Sequence, residues 1–197
     1  STYANSLIES FEKKINFESG SKYTVAVNSG SVALYLGLKC LGIKTNDLVI
    51  APSYTFIATI NSIIHSGARP WLFDTKKNEL TINLMQIEKA LKQNSFKQGK
   101  YYYHKKTKQR IFAICPVYTL GHLPDLNKIK KLAKKYNLKI IADAACALGV
   151  KYKSQKITKF NDAVCYSFNG NKSITAGGGG AVSLNNKVIY KKIFLMS

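Results

Sequence analysis

Leu7, Ile8, Phe11 and Ile15 recur at helical spacing in a polar stretch, which predicts an amphipathic helix at the start of the chain. The pattern then changes. "YTVAV" is an apolar run of strand length, and "NSGS" turns it into the helical stretch "VALYLGLKCLG". "LVIAP" predicts the next strand, followed by a helix through Ile57 to His65 and a strand-like "PWLFD". "NLMQIEKALKQ" puts Leu84, Ile87 and Leu91 on one helical face. "IFAICPV" is another buried strand, and Asp125 stands where it can cap "LNKIKKLAKKYN", whose apolar stripe is Ile129, Leu132 and Ala133. "LKIIAD" closes the series. Apolar strands alternating with helices predict an α/β chain of parallel βαβ units, with helices on both faces of one sheet. After Asp143 come the shorter strands "AVCYSF" and "GAVSL", around a run of four glycines. The long polar insert from Asn94 to Arg110 reads as an exposed, mobile loop; stacking of its tyrosines on bases is the alternative.

A chain of 197 residues with 46% hydrophobic content can bury a proper core and is not disordered. It reads as one domain over residues 1–197, without internal repeat or linker. Its apolar runs are too short to span a bilayer, and no basic region followed by an apolar core marks a secretory signal. Ser1 is not an initiator methionine, and "IYKKIFLMS" breaks off inside a helical pattern, so a fragment truncated at both termini is expected. Cys40, Cys115, Cys146 and Cys165 have no metal-ligand spacing; no metal is expected, and unpaired thiols fit a reducing cytoplasm. The formal charge of +20 raises a nucleic-acid reading. Against it, the arginines are Arg69 and Arg110 alone and the lysines are scattered, so biased composition with solvated charged faces is preferred.

Four signals carry chemistry. "NSGSVAL" sets Gly30 and Ser31 at a strand-to-helix turn, where backbone N–H groups and a hydroxyl can bind phosphate, although any helix can begin with serine. It matches neither a Walker loop nor a GxGxxG fingerprint. Asp143 ends an apolar strand, the place where open α/β sheets bind ligands; it either pairs with a buried cation or caps the "AACALG" turn. Ser167 and Lys172 lie on and after "CYSF", and a lysine set against glycine-rich backbone can be desolvated and made nucleophilic. Phe56, after a strand end, is either a platform for a planar ring or a core phenylalanine. A phosphate cradle, a carboxylate for a pyridinium nitrogen, a stacking aromatic and a reactive lysine are together the protein's share of a pyridoxal phosphate site.

"NSGSVALYLGL", "VIAPSYTFIATINSI", "PVYTLGHLPDL", "IIADAACALG" and "YSFNGNKSITAGGGGAV" resemble the sugar aminotransferases of the DegT/DnrJ/StrS type over nearly the whole chain. The "FNGNK…GGGG" form and the insert before "IFAICPVY" are most similar to members making 4-amino-4,6-dideoxy sugars for nonulosonic acids such as legionaminic acid. The resemblance implies the large domain of a fold-type I, aspartate aminotransferase-like protein: three layers around a mainly parallel sheet, with the C-terminal small domain absent. It implies that Lys172 holds pyridoxal 5'-phosphate covalently and later shuttles a proton. Asp143 would pair with the ring nitrogen, Phe56 would stack on the ring, and Gly30, Ser31 and Ser167 would hold the phosphate. Cys146 stands where the family commonly has Gln, Glu or His beside the cofactor's phenolic oxygen. Tyr118 stands where relatives often carry His, and Ala142 replaces a frequent Glu.

The implied reaction moves an amino group from L-glutamate to a nucleotide-linked 4-keto-6-deoxy sugar, in a cytoplasmic homodimer whose subunits share their active sites. A dehydratase-type relative would carry His in place of Lys172. The rivals from other classes are an inactive or regulatory fragment of the family and a lysine-rich nucleic-acid-binding protein, which salt-sensitive DNA retention would reveal.

Overall fold

The computed structural model describes residues 2–76 and 79–197. In chain order the elements are α1 (Thr2–Ser19), β1 (Tyr23–Val27), α2 (Gly30–Leu41), β2 (Leu48–Pro52), α3 (Ile57–His65), β3 (Arg69–Phe73), α4 (Leu84–Asn94), β4 (Ser95–Gln98), β5 (Tyr101–His104), β6 (Arg110–Ile114), α5 (Leu126–Tyr136), β7 (Lys139–Asp143), β8 (Lys151–Tyr152), β9 (Gln155–Lys156), β10 (Ala163–Ser167), β11 (Gly180–Leu184) and α6 (Lys187–Phe194).

The central sheet runs β1-β11-β10-β7-β6-β2-β3. From β10 to β3 every pairing is parallel, whereas β11 is antiparallel to both β1 and β10. The sheet is therefore mixed and mostly parallel. Its strands are apolar on both faces because each face meets a helical layer. Ile50, Ile114 and Ile140 pack with Ile87 and Leu91 of α4 and Ile129 of α5. Val49, Ala113 and Ile141 pack with Leu34 of α2, Ile63 of α3 and Ile193 of α6. The first helix uses only part of its stripe: Ile15 is buried and Phe11 sits edge-on to Phe168 at 5.1 Å, whereas Leu7 and Ile8 are exposed. Asp125 caps α5, accepting from Lys128 N at 3.0 Å.

The insert from Asn94 to Arg110 is not a loop. It folds as the antiparallel hairpin β4–β5, turning at Gly99 (φ +58°), and β5 pairs with the start of β6 through Tyr102 and Tyr103. Its rings are engaged within the protein: Phe96 stacks on Tyr103 at 5.8 Å, Tyr102 meets Tyr136 at 4.8 Å, and the Arg110 guanidinium lies 4.9 Å from the Tyr101 ring centre. Arg110 Nε also donates to Asp47 Oδ1 at 2.9 Å, an inward ion pair that anchors the hairpin's base. Rings already packed against protein partners form no free platform for bases.

The last glycine of the run meets backbone. A Cβ at Gly180 would lie 2.4 Å from both the carbonyl carbon and oxygen of Ser29, and 2.7 Å from Gly30 N. Glycine here lets β11 press against the turn that opens α2. Gly180→Ala is expected to cost about 1–3 kcal/mol, because the opposing atoms are backbone and cannot rotate away. Thermal melting checks this, and an unchanged midpoint would contradict the close approach.

Candidate active site

The carboxyl ends of β2, β6, β7 and β10 and the N-termini of α2 and α3 surround one cavity of about 510 Å³. This is where an open α/β sheet presents its ligand site. Gly30, Ser31, Phe56, Asp143, Cys146, Ser167 and Lys172 all line it. Seven residues spread over more than 140 positions of sequence thus meet in one space, because the segments leaving β1, β2, β7 and β10 all line it.

At one wall Ser29 caps α2, its Oγ accepting from Val32 N at 3.2 Å. The N–H groups of Gly30 and Ser31 belong to the first helical turn, which has no acceptors of its own. A Cβ on Gly30 would come within 2.8 Å of Ser167 Cβ, so the turn and the end of β10 are closed against each other. Phe56 is 70% exposed and lies at the cavity, not in the core; Lys172 Nζ stands 5.8 Å from its ring centre.

Asp143 is buried, yet it lines the cavity. Its Oδ1 accepts from Ala145 N at 3.1 Å, so it does cap the turn after β7; its Oδ2 accepts from Thr59 Oγ1 at 2.6 Å. Burial pushes the carboxyl above its ordinary range, while the bonds from Thr59 and Ala145 and the charge of Lys172 draw it back. Such a carboxylate gains from a cationic group placed beside it. Lys172 follows β10 in a turn closed by its own N–H to Asn169 O at 3.0 Å, and its Nζ lies 3.7 Å from Cys146 Sγ.

Cys146 is half-buried against the cavity, unlike the buried Cys40, Cys115 and Cys165. Cys146→Gln is therefore expected to leave the melting temperature within about 2 °C, since the longer side chain has open space to enter. A larger drop would mean that the position packs under the turn. Tyr118 lies under the cavity, with its hydroxyl donating to Asn161 Oδ1 at 3.0 Å; burial pushes its phenol far above the usual range. Ala142 is wholly buried in the layer formed with α1, α4 and α5. Thr55 and Thr59 were not singled out by the sequence. A threonine in the first turn of an apolar helix that follows a strand end was the available signal.

Residues 3–197 match the sequence profile of the DegT/DnrJ/EryC1/StrS aminotransferase family. The chain belongs to this family. It is 37% identical over 185 residues to GDP-perosamine synthase of Escherichia coli O157:H7, covering 94% of this chain and 46% of that protein. A DegT/DnrJ/EryC1/StrS aminotransferase from Brucella abortus superposes with a TM-score of 0.86 at 28% identity, over 95% of this chain and 48% of that one. NtdA of Bacillus subtilis, solved with the bound cofactor PMP, superposes with a TM-score of 0.81 at 29% identity, over 94% of this chain and 38% of that one. The chain spans about half the length of the curated relatives it matches. The family's cofactor is pyridoxal phosphate. The residues present fit it: a helix N-terminus with hydroxyls for an anion, a buried carboxylate for a cationic nitrogen, an exposed ring face and a lysine within one cavity.

Proposed function

We propose that the whole protein is a pyridoxal phosphate-dependent aminotransferase that moves the amino group of L-glutamate to a nucleotide-linked 4-keto-6-deoxy sugar. The observation that carries this reading is the meeting of Lys172, Asp143 and the α2 N-terminus on one cavity, in a chain of the sugar aminotransferase family. The bound cofactor supplies a carbonyl that takes up the amino group and a ring that delocalises charge from the adjoining carbon. Gly30 and Ser31 N–H groups, with the hydroxyls of Ser31 and Ser167, hold the phosphate. Phe56 holds the ring on one face, and Asp143 keeps its nitrogen protonated. Lys172 would be the residue that holds the cofactor covalently between turnovers and would carry the proton at the reacting carbon in both half-reactions. Cys146 would be the residue nearest the phenolic oxygen.

The product, in this reading, is an amino sugar of the kind used for nonulosonic acids such as legionaminic acid. Its support is the "FNGNK…GGGG" form together with the hairpin insert before β6. The chain is the large domain of a cytoplasmic homodimer, and a smaller domain and the second subunit complete each site. Among the described residues no helix is long and apolar enough to cross a membrane.

The whole protein, loaded with pyridoxal phosphate and given L-glutamate and a nucleotide-linked 4-keto-6-deoxy sugar, is expected to release 2-oxoglutarate in step with an aminated sugar nucleotide. Loss of glutamate without amination, or no turnover with any such sugar, would contradict the proposal.

A further inference from the structure

Two threonine hydroxyls stand in line behind the buried carboxylate. Thr59 is 1% exposed, its Oγ1 lies 2.6 Å from Asp143 Oδ2, and Thr55 Oγ1 lies 2.8 Å from Thr59 Oγ1. An ionised carboxylate can only accept, so Thr59 must donate to it. A hydroxyl has one proton, so the Thr59 oxygen must then accept from Thr55. The chain has one direction, Thr55 to Thr59 to Asp143. The other acceptor within reach of Thr55, the Phe56 carbonyl, is at 3.4 Å and competes poorly.

We propose that Thr59, oriented by Thr55, is a positioning residue that keeps Asp143 ionised and fixed toward the cavity, and so sets how strongly a protonated ring nitrogen is held there. The inference rests on the reading of the cavity as a pyridoxal phosphate site. The Thr59 hydroxyl is foremost among the contacts that offset the burial of Asp143, ahead of the Ala145 N–H and the Lys172 charge. The other titratable groups facing it are the thiols of Cys115, just beyond β6, and Cys165 on β10, both held neutral by burial. No cation besides Lys172 is among the groups that act on Asp143 in the described residues. Thr59 also sits three residues after Phe56, which takes the N-cap position of α3. One helical turn therefore carries both the exposed ring face and the hydroxyl that fixes the carboxylate, and the two parts of the site are held in register.

Thr59→Val removes the donor at nearly constant volume, and Thr59→Ser keeps it. In the whole protein, Thr59→Val is expected to weaken pyridoxal phosphate binding about tenfold. Binding of the 1-deaza analogue, which has no ring nitrogen, is expected to stay unchanged, and Thr59→Ser to restore the difference. Equal weakening of both ligands would reduce Thr59 to a packing residue and overturn the proposal. A second readout needs no cofactor. With its carboxyl raised in the folded state, Asp143 favours folding while protonated, and this stability is lost as pH rises from the ordinary carboxylate range through the folded value. Thr59→Val is expected to extend that loss to higher pH, whereas identical pH profiles of melting in wild type and variant would overturn the assignment. A wild-type protein that binds neither ligand would overturn the cofactor reading and this role with it, while the melts still decide the hydrogen bond.

Discussion

Replacing Lys172 by alanine is expected to lower transamination by the whole protein about 10⁴-fold, close to background. On the role proposed for Lys172, two contributions vanish together. The protein loses the amine that fixes the cofactor between turnovers, and it loses the group that carries the proton at the reacting carbon, alone a matter of about 10²–10⁴ in rate. The fold is expected to survive. Lys172 is half-buried at the cavity, follows β10 in a turn, and its side chain meets Cys146 and the Phe56 ring. The melting temperature should therefore change by no more than about 2 °C. Steady-state assay of glutamate-dependent amination beside thermal melting checks both parts. Retention of even a tenth of the wild-type rate would remove Lys172 from the chemistry.

The second large effect is expected at Asp143. Asp143→Asn keeps the volume, and its amide oxygen can still accept from Ala145 N while the amide nitrogen meets the Thr59 oxygen. What it cannot do is hold a proton on a partner nitrogen, because the amide carries no charge. Loss of a fixed charge aimed at a developing charge costs about 10²–10³ in rate in comparable sites. Cofactor binding through the α2 turn and Ser167 is expected to persist but to weaken by about tenfold or more, so at saturating cofactor the remaining loss should fall on turnover. The cofactor-free variant should also lack the decline in stability that wild type undergoes as pH rises above the ordinary carboxylate range, since the group that titrates there is gone. Near-normal turnover together with an unchanged pH profile would contradict this account of Asp143.

The strands and helices that build the sheet were legible because they are apolar on both faces or along one stripe. The span of α3, Ile57–His65, and the Asp125 cap of α5 are read directly from that pattern. The hairpin β4–β5 was not, because tyrosine suits both a polar and an apolar position and "YYYH" gives no alternation to follow. The short hairpin β8–β9 turns through Lys153 and Ser154 at positive φ, without the glycine or asparagine that usually marks such a turn. Lys172 stood out because of the glycines after it, but hydropathy cannot tell that Gly180 is pressed on Ser29. Phe56 was legible as an aromatic after a strand end, and only the fold decides between the core and the 70% exposed position it takes. Thr59 was the least visible of all: its partner is 84 residues away, at the end of a strand separated from β2 by β6, and only the folded sheet brings the two together.

The most direct measurement is borohydride reduction of the whole protein loaded with pyridoxal phosphate, followed by digestion and mass spectrometry of the labelled peptide. The chain is rich in lysine, so the label has many alternatives on the surface. One stoichiometric adduct on Lys172 is expected, lost in Lys172→Ala and displaced by prior incubation with L-glutamate. A stoichiometric adduct on another lysine, or labelling spread over many, would contradict it.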